Sequence, residues 1–145
     1  MTTDLARVVV DANIMISSLL GRSFPLLLRL LEHGVELFSP VQQLAETRRT
    51  LTARPGLSVA WVDAQMGRLL SVVRPVHPAL VQPYEDVARS RLHDRGQPDW
   101  PVLAASLAMD AAVWSHDKDF FGSGAPVWST FVIKGSLARA GASAP

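Results

Sequence analysis

The strongest constraint on the fold is the segment from Arg7 to Asp11, where three consecutive valines precede an aspartate. β-Branched residues favour strands, and an apolar run without polar alternation is typical of a strand buried on both faces. Such strands occur almost only in parallel sheets that helices cover on both sides. The segment therefore predicts a first strand inside an α/β fold, with Asp11 at its carboxyl end.

Strands and helices alternate along the rest of the chain. Apolar runs predict further strands over 35–38, 72–73, 111–115 and 127–128. Helical patterns cover 13–20, 24–32, 58–70, 83–92 and 99–109, with a polar loop over 93–98. Another helix is predicted from Pro40 to about Ala53, with Ser39 as its N-cap. This alternation predicts a central parallel sheet of four to five strands between two helical layers.

Length and composition indicate one domain. The chain has 145 residues, of which 48% are hydrophobic, and we expect a folded domain over 1–135 and a flexible tail over 136–145. No apolar run approaches the roughly 20 residues needed to cross a bilayer, and residues 1–7 do not resemble a signal peptide. We therefore expect a cytoplasmic protein without a membrane partner. The 14 Lys+Arg nearly balance the 13 Asp+Glu, so any nucleic-acid binding needs a local basic patch.

Acidic residues follow two of the predicted strands. Asp11 ends the first strand and Asp117 follows the fourth. In a sheet of order 3-2-1-4-5 these strands are neighbours where the order reverses, which is where open α/β sheets bind ligands. Asp99 begins the helix that leads into the fourth strand, so we expect it near the same edge. Each acid alone also has a structural explanation, as a helix cap or as a turn residue.

A cluster of carboxylates needs a counter-ion, because like charges brought close together disfavour ionisation. Mg²⁺ prefers oxygen ligands, and Mn²⁺ is compatible with the same donors. The chain has no cysteine and no pair of histidines at helical spacing that would indicate zinc. The acids therefore predict Mg²⁺ or Mn²⁺ held by Asp11, Asp99 and Asp117.

Three other classes of α/β protein are alternatives, because they have an acid after the first strand or a similar fold. A haloacid-dehalogenase-like phosphatase needs a second aspartate two residues after the first, and Asn13 stands there. A receiver-like domain needs an acceptor aspartate after a middle strand, which the region around 72–73 lacks. A dinucleotide-binding module needs a G-x-G-x-x-G turn after the first strand, and none is present. Another Mg²⁺-dependent phosphatase remains an alternative.

Four segments of the chain resemble PIN-domain nucleases, and more closely the VapC-type toxins of toxin–antitoxin pairs. The segments cover residues 8–13, 39–46, 99–105 and 113–120 and occur in the family's order. The resemblance implies a three-layer α/β/α fold and a metal-dependent endoribonuclease that cleaves RNA phosphodiester bonds. It also implies that the protein is the toxin of a type II pair. The alternative is a PIN-fold protein-binding module that has lost catalysis.

The resemblance also assigns the site. The family's four acids correspond to Asp11, Glu46, Asp99 and Asp117, although a helical wheel places Glu46 opposite the apolar face of its helix. Two residues would support the metal ligands, namely Asn13 and Ser115, where Ser115 replaces the family's common Thr. Asp119 is a candidate outer ligand. Asp94 is a further acid of the same region.

The implied partners are RNA, a second copy of the chain in a homodimer, and a cognate antitoxin that blocks the site. Apolar residues on the helices over 24–31 and 58–70 make these helices candidate contact surfaces. Four side chains are candidates for steering the RNA backbone: Arg91, Arg95, His116 and Lys118.

Overall fold

The computed structural model describes residues 7–143, with side chains described to residue 140. Five parallel strands form one sheet, as the sequence predicts, and their order β3-β2-β1-β4-β5 is the one that the expected meeting of Asp11 and Asp117 assumed. The strands are β1 (Arg7–Val10), β2 (Glu36–Pro40), β3 (Arg74–Val76), β4 (Ala112–Trp114) and β5 (Val127–Trp128). The helices are α1 (Ala12–Leu20), α2 (Phe24–Glu32), α3 (Val41–Ala53), α4 (Val59–Leu70), α5 (Pro78–Val81), α6 (Glu85–Arg91), α7 (Trp100–Met109) and α8 (Thr130–Ser143).

Two apolar cores, one on each face of the sheet, explain the uninterrupted valine run of β1. Val8 and Val10 face a core built with α1, α2, α4 and α8, whereas Val9 faces a second core formed largely by α7. All three valines are fully buried. Each successive side chain points to the opposite face of a strand, so a strand between two helical layers must be apolar at every position. The fold is therefore the predicted three-layer α/β/α arrangement.

The prediction that Ser39 caps α3 is wrong. Ser39 and Pro40 belong to β2, where they lie in register with Pro75 and Val76 of β3. The Ser39 side chain is buried, and its hydroxyl donates to the carbonyl oxygen of Val10 at 2.8 Å. A serine before a proline is a common helix start, but here the hydroxyl binds the neighbouring strand instead of the helix.

The third strand begins after the predicted residues 72–73. Val72 and Val73 are buried in the turn before β3, and the strand itself contains Pro75. β3 is at the edge of the sheet, where a proline is tolerated because its missing N–H faces no further strand.

The segments around Pro83 also differ from prediction. The helix predicted over 83–92 begins within a 3₁₀ turn over Gln82–Tyr84 and continues as α6, and the short helix α5, which the sequence did not predict, comes before it. The polar loop predicted over 93–98 is largely a 3₁₀ turn, Asp94–Asp99.

The C-terminal boundary predicted at residue 135 is too early. α8 extends to Ser143, and Ile133, Leu137 and Ala140 are buried against the core. The buried side chains of Ile133 and Leu137 hold this segment against the core as a helix, so it is not a tail. Residues 144–145 of the expected tail lie outside the described residues.

Within residues 7–143, no single helix is long and apolar enough to cross a membrane. α1 and α2 pass the length and composition test only as a pair, and they are bent by 111° relative to each other.

Truncation of Leu137 tests whether α8 is part of the folded domain. We expect Leu137→Ala to lower the free energy of unfolding by about 2–4 kcal/mol, because a buried leucine leaves a cavity in the core. Phe131→Ala is the matched control, since this residue of α8 is 86% exposed and should change stability by less than about 0.5 kcal/mol. Urea denaturation measures both, and equal small effects would contradict the packing of α8.

Candidate metal centre

The pairing of β1 with β4 places the candidate site at the carboxyl edge of the sheet. Val10 lies beside Trp114, and the backbone N–H of Asp11 donates to the Trp114 carbonyl oxygen at 3.1 Å. Asp11 and Ser115 therefore leave the two strands side by side, although 104 positions separate them in the sequence. This is the reversal of strand order at which the sequence predicts a site.

A hydrogen bond from Ser115 ties the two strand ends together. The Ser115 hydroxyl donates to Oδ2 of Asp11 at 2.6 Å and accepts the backbone N–H of Asp117 at 2.9 Å. Both Asp11 and Ser115 are buried. Asp11 precedes α1, but its carboxylate makes no capping hydrogen bond to that helix. The hydrogen bond from Ser115 fixes the Asp11 carboxylate at the edge of the sheet.

Three other acids form a compact cluster at this edge. Asp99, Asp117 and Asp119 each present one carboxylate oxygen, and these oxygens lie within 4.8 Å of one another. Asp99 ends the 3₁₀ turn before α7, while Asp117 begins a second 3₁₀ turn, Lys118–Phe120, by accepting the backbone N–H of Asp119 at 2.8 Å. The oxygens are close enough to share one cation, and all three side chains are half-buried.

The proximity of the acids changes their protonation. Burial, which is the largest cause, and the negative charges of Asp11, Asp117 and Glu46 together raise the pKa of Asp99 to about 7. Burial also raises the pKa of Asp11, although the Ser115 hydroxyl opposes the change by binding the carboxylate. A bound cation would reverse both effects, because it favours the ionised carboxylates.

Asp119 is held more firmly than a surface acid. Arg95 Nη2 lies 3.2 Å from Oδ1 of Asp119, and only 11% of the Asp119 side chain is exposed. Gly96 packs against the same side chain, since a Cβ at Gly96 would lie 2.9 Å from the Cβ of Asp119. The sequence predicts Asp119 as an outer ligand, whereas the structure places it with Asp99 and Asp117.

The remaining candidate residues lie farther from this cluster. Glu46 is exposed on α3, yet its charge contributes to the raised pKa of Asp99, so its carboxylate faces the same edge. Asn13 is exposed on the first turn of α1. Asp94 is exposed and does not belong to the cluster of three acids.

One of the candidate RNA-steering residues is bound to another part of the chain. Arg91 donates to the carbonyl oxygen of Ser123 at 3.3 Å.

Gln43 is a supporting residue that sequence reasoning missed. Its side chain is buried on α3, and its Oε1 accepts the backbone N–H of Ala12 at 2.9 Å. This interaction fixes the turn that follows Asp11. A glutamine in a helix carries no signal of such a role, because the partner lies 31 positions away.

The sequence profile of the PIN domain family matches residues 9–138. The chain belongs to the PIN domain family. No curated protein matches it closely enough to count as a relative.

Solved structures share the PIN fold at low sequence identity. VapBC2 of Rickettsia felis, bound to a DNA fragment from its promoter, has a TM-score of 0.69 at 15% identity and covers 85% of this chain and 98% of its own. VapBC-1 of nontypeable Haemophilus influenzae has a TM-score of 0.66 at 14% identity, and the match covers 85% of this chain and 97% of VapBC-1. PAE2754 of Pyrobaculum aerophilum has a TM-score of 0.62 at 14% identity, and the match covers 94% of this chain and 90% of PAE2754.

The donor set of this PIN domain fits a hard divalent cation. The cluster offers carboxylate oxygens alone, and burial together with the neighbouring negative charges raises the pKa of Asp99. Mg²⁺ and Mn²⁺ match oxygen donors of this kind, whereas zinc sites usually contain cysteine or histidine.

Removal of the Ser115 hydroxyl tests the link between the strands. We expect Ser115→Ala to lower the free energy of unfolding by about 1.5–3 kcal/mol, because a buried carboxylate loses a charge-assisted hydrogen bond. Ser17→Ala, at an exposed position of α1, is the control and should change stability by less than about 0.5 kcal/mol. Chemical denaturation in metal-free buffer measures the free energy of unfolding of both variants. Equal values would show that the hydrogen bond from Ser115 to Asp11 does not stabilise the fold.

Repulsion among the acids should appear as a pH-dependent stability. The pKa of Asp99 in the folded protein is raised from 3.8 to about 7, so folding favours the protonated carboxyl. The stability that this gives is fully present below pH 3.8 and is lost as the pH rises through about 7. We expect the free energy of unfolding of Asp99→Asn to be higher than that of the wild type by about 1–2 kcal/mol at about pH 8 in EDTA, after allowance for partial exposure. At about pH 4 the two free energies should be equal. A pH-independent difference in thermal or urea unfolding would contradict the repulsion.

Proposed function

We propose that this PIN domain is a metal-dependent endoribonuclease that cleaves RNA phosphodiester bonds with Mg²⁺ or Mn²⁺. The observation that carries the proposal is the meeting of Asp99, Asp117 and Asp119 within 4.8 Å, beside the buried Asp11. Four acids at one sheet edge are costly for stability, and no ion pair except Arg95–Asp119 offsets the charge of these four acids within the described residues. A function that recruits a cation explains their presence at one edge.

Asp11, Asp99 and Asp117 would hold the ion, with Asp119 and Glu46 completing the acidic wall. When bound, such an ion supplies Lewis-acid stabilisation of phosphoryl oxygens and favours attack by water. The chain contributes the positioning. Ser115 fixes the carboxylate of Asp11 and the backbone of Asp117, so two acids from different strands are held in one geometry.

Protonation of Asp99 controls whether the site is ready for a cation. With a pKa of about 7, this carboxyl is partly protonated in the metal-free protein near neutral pH and must release its proton to act as a ligand. Binding of the cation should therefore release protons and become tighter as the pH rises.

The proposed biological role is the toxin of a type II toxin–antitoxin pair, active in the cytoplasm. Two solved structures with the same fold are VapBC complexes, and this is the support for a cognate antitoxin as partner. Exposed leucines on α2, including Leu28 and Leu31, and the exposed Val59 and Leu70 on α4 offer apolar area for the antitoxin or for a homodimer.

The proposal is tested by cleavage of a single-stranded RNA in Mg²⁺. We expect Asp11→Asn, Asp99→Asn and Asp117→Asn each to lower the rate of RNA cleavage at least about 100-fold while the chain stays folded, because each removes a charged ligand of the ion. Asp94→Asn is the matched control, since this neighbouring acid lies outside the cluster, and its rate should equal that of the wild type.

EDTA separates the enzyme from the alternative of a protein-binding module without catalysis. We expect EDTA to abolish cleavage and excess Mg²⁺ or Mn²⁺ to restore it. Cleavage that persists in EDTA or in Asp11→Asn would contradict the proposed mechanism. A folded wild-type protein that binds Mn²⁺ but cleaves no RNA would favour the binding module, and hydrolysis of phosphomonoesters alone would favour the phosphatase.

A further inference from the structure

A second feature lies directly beside the acidic cluster. A cavity of about 290 Å³ opens between the segment that follows β4 and the start of α8. Its walls are mostly apolar, formed by Phe121, Val127 and Val132. This volume is at the small end of the range for ligand sites, roughly 300–1,000 Å³, so the cavity has room for one ring system but not for a folded peptide.

The polar side chains of the cavity connect it with the metal centre. Ser115 and His116 line it together with Lys118. Ser115 donates to Asp11, and Asp117 lies between His116 and Lys118 in the chain. A ligand in the cavity therefore lies next to whatever occupies the acidic site.

A hydrogen-bond relay fixes the ring of His116. Trp114 Nε1–H donates to the hydroxyl of Thr130 at 3.1 Å, and that hydroxyl lies 2.8 Å from Nε2 of His116. The backbone N–H of Thr130 also donates to Nε2 at 3.4 Å. Nε2 is therefore an acceptor, which assigns the proton of the neutral ring to Nδ1 and leaves Nδ1–H as the remaining donor.

The exposure of Phe121 also points to a ligand. Its side chain is 62% exposed, while the preceding Phe120 is fully buried. The backbone N–H of Phe121 donates to the Lys118 carbonyl oxygen at 3.0 Å, so the 3₁₀ turn fixes the backbone that carries the exposed ring. A large aromatic ring kept at a cavity wall next to polar donors is suited to a flat ligand with a polar edge.

We propose that this cavity is a nucleobase subsite, in which a base next to the scissile phosphate stacks on Phe121. The choice of ligand rests on the proposed function. Single-stranded RNA is bound through bases that stack on aromatic side chains and present their edges to hydrogen-bond donors, and Nδ1–H of His116 supplies such a donor here. The Lys118 ammonium offers charge complementarity to a neighbouring phosphate.

Mononucleotides test the subsite without depending on catalysis, because they contain no phosphodiester bond between nucleosides. The probes are the four ribonucleoside 5′-monophosphates in Mg²⁺, with ribose 5-phosphate as the probe that lacks a base. Saturation-transfer NMR identifies contacts to base protons, and a titration gives each Kd. We expect at least one nucleotide to bind more tightly than ribose 5-phosphate.

Two phenylalanine variants form a matched pair. Phe121→Ala should raise the nucleotide Kd about five- to tenfold, to that of ribose 5-phosphate, because stacking on the ring is lost. Phe131→Ala removes a more exposed phenylalanine that does not line the cavity, and it should leave the Kd unchanged. Phe121→Trp should restore binding, and circular dichroism checks that every variant is folded.

The results separate this inference from the proposed function. In RNA cleavage, Phe121→Ala should raise KM with kcat unchanged. If the wild type cleaves no RNA but nucleotide binding depends on Phe121, the proposed function fails and the subsite stands. The subsite is overturned if Phe121→Ala binds nucleotides like the wild type, or if no nucleotide binds more tightly than ribose 5-phosphate.

Discussion

The parallel pairing of β1 with β4 brings Val10 beside Trp114, and the residues that follow these strands leave the sheet at one edge. The rest of the site depends on this pairing. It positions Ser115 to donate to Asp11 at 2.6 Å, and Ser115 in turn holds the backbone of Asp117. The valines of β1 are buried on both faces, so the helical layers that stabilise the fold also fix where its acids lie.

The same convergence creates an electrostatic cost. Burial and neighbouring negative charges raise the pKa of Asp99 to about 7, which means that the metal-free site reduces its charge by holding a proton. A cation can replace that proton and serve all the acids together. The acidic edge and the adjacent cavity also differ in chemistry, since one suits a cation with phosphate and the other suits a flat apolar ring. In the proposed function, the acidic edge and the cavity bind different parts of one nucleotide.

Much of this arrangement could be predicted from the sequence because it depends on patterns repeated along the chain. The valine run and the alternation of strands and helices predict the parallel sheet, and the assumed order 3-2-1-4-5, which the sheet has, puts the ends of β1 and β4 at one edge. Features that depend on a single distant partner could not be predicted. Ser39 and Gln43 bind backbone groups about 30 positions away, and neither residue differs in sequence from an ordinary cap or surface residue. The close packing of the Asp119 side chain against Gly96 likewise depends on the absence of a Cβ at that glycine.

Anomalous diffraction from a crystal soaked in Mn²⁺ at a pH above the pKa of Asp99 tests most directly whether the acids share a cation. The account predicts an anomalous peak within coordination distance of carboxylate oxygens from both Asp99 and Asp117, on the side that faces Asp11. A crystal that contains Mn²⁺ only at other surfaces, with these carboxylates empty, would contradict it.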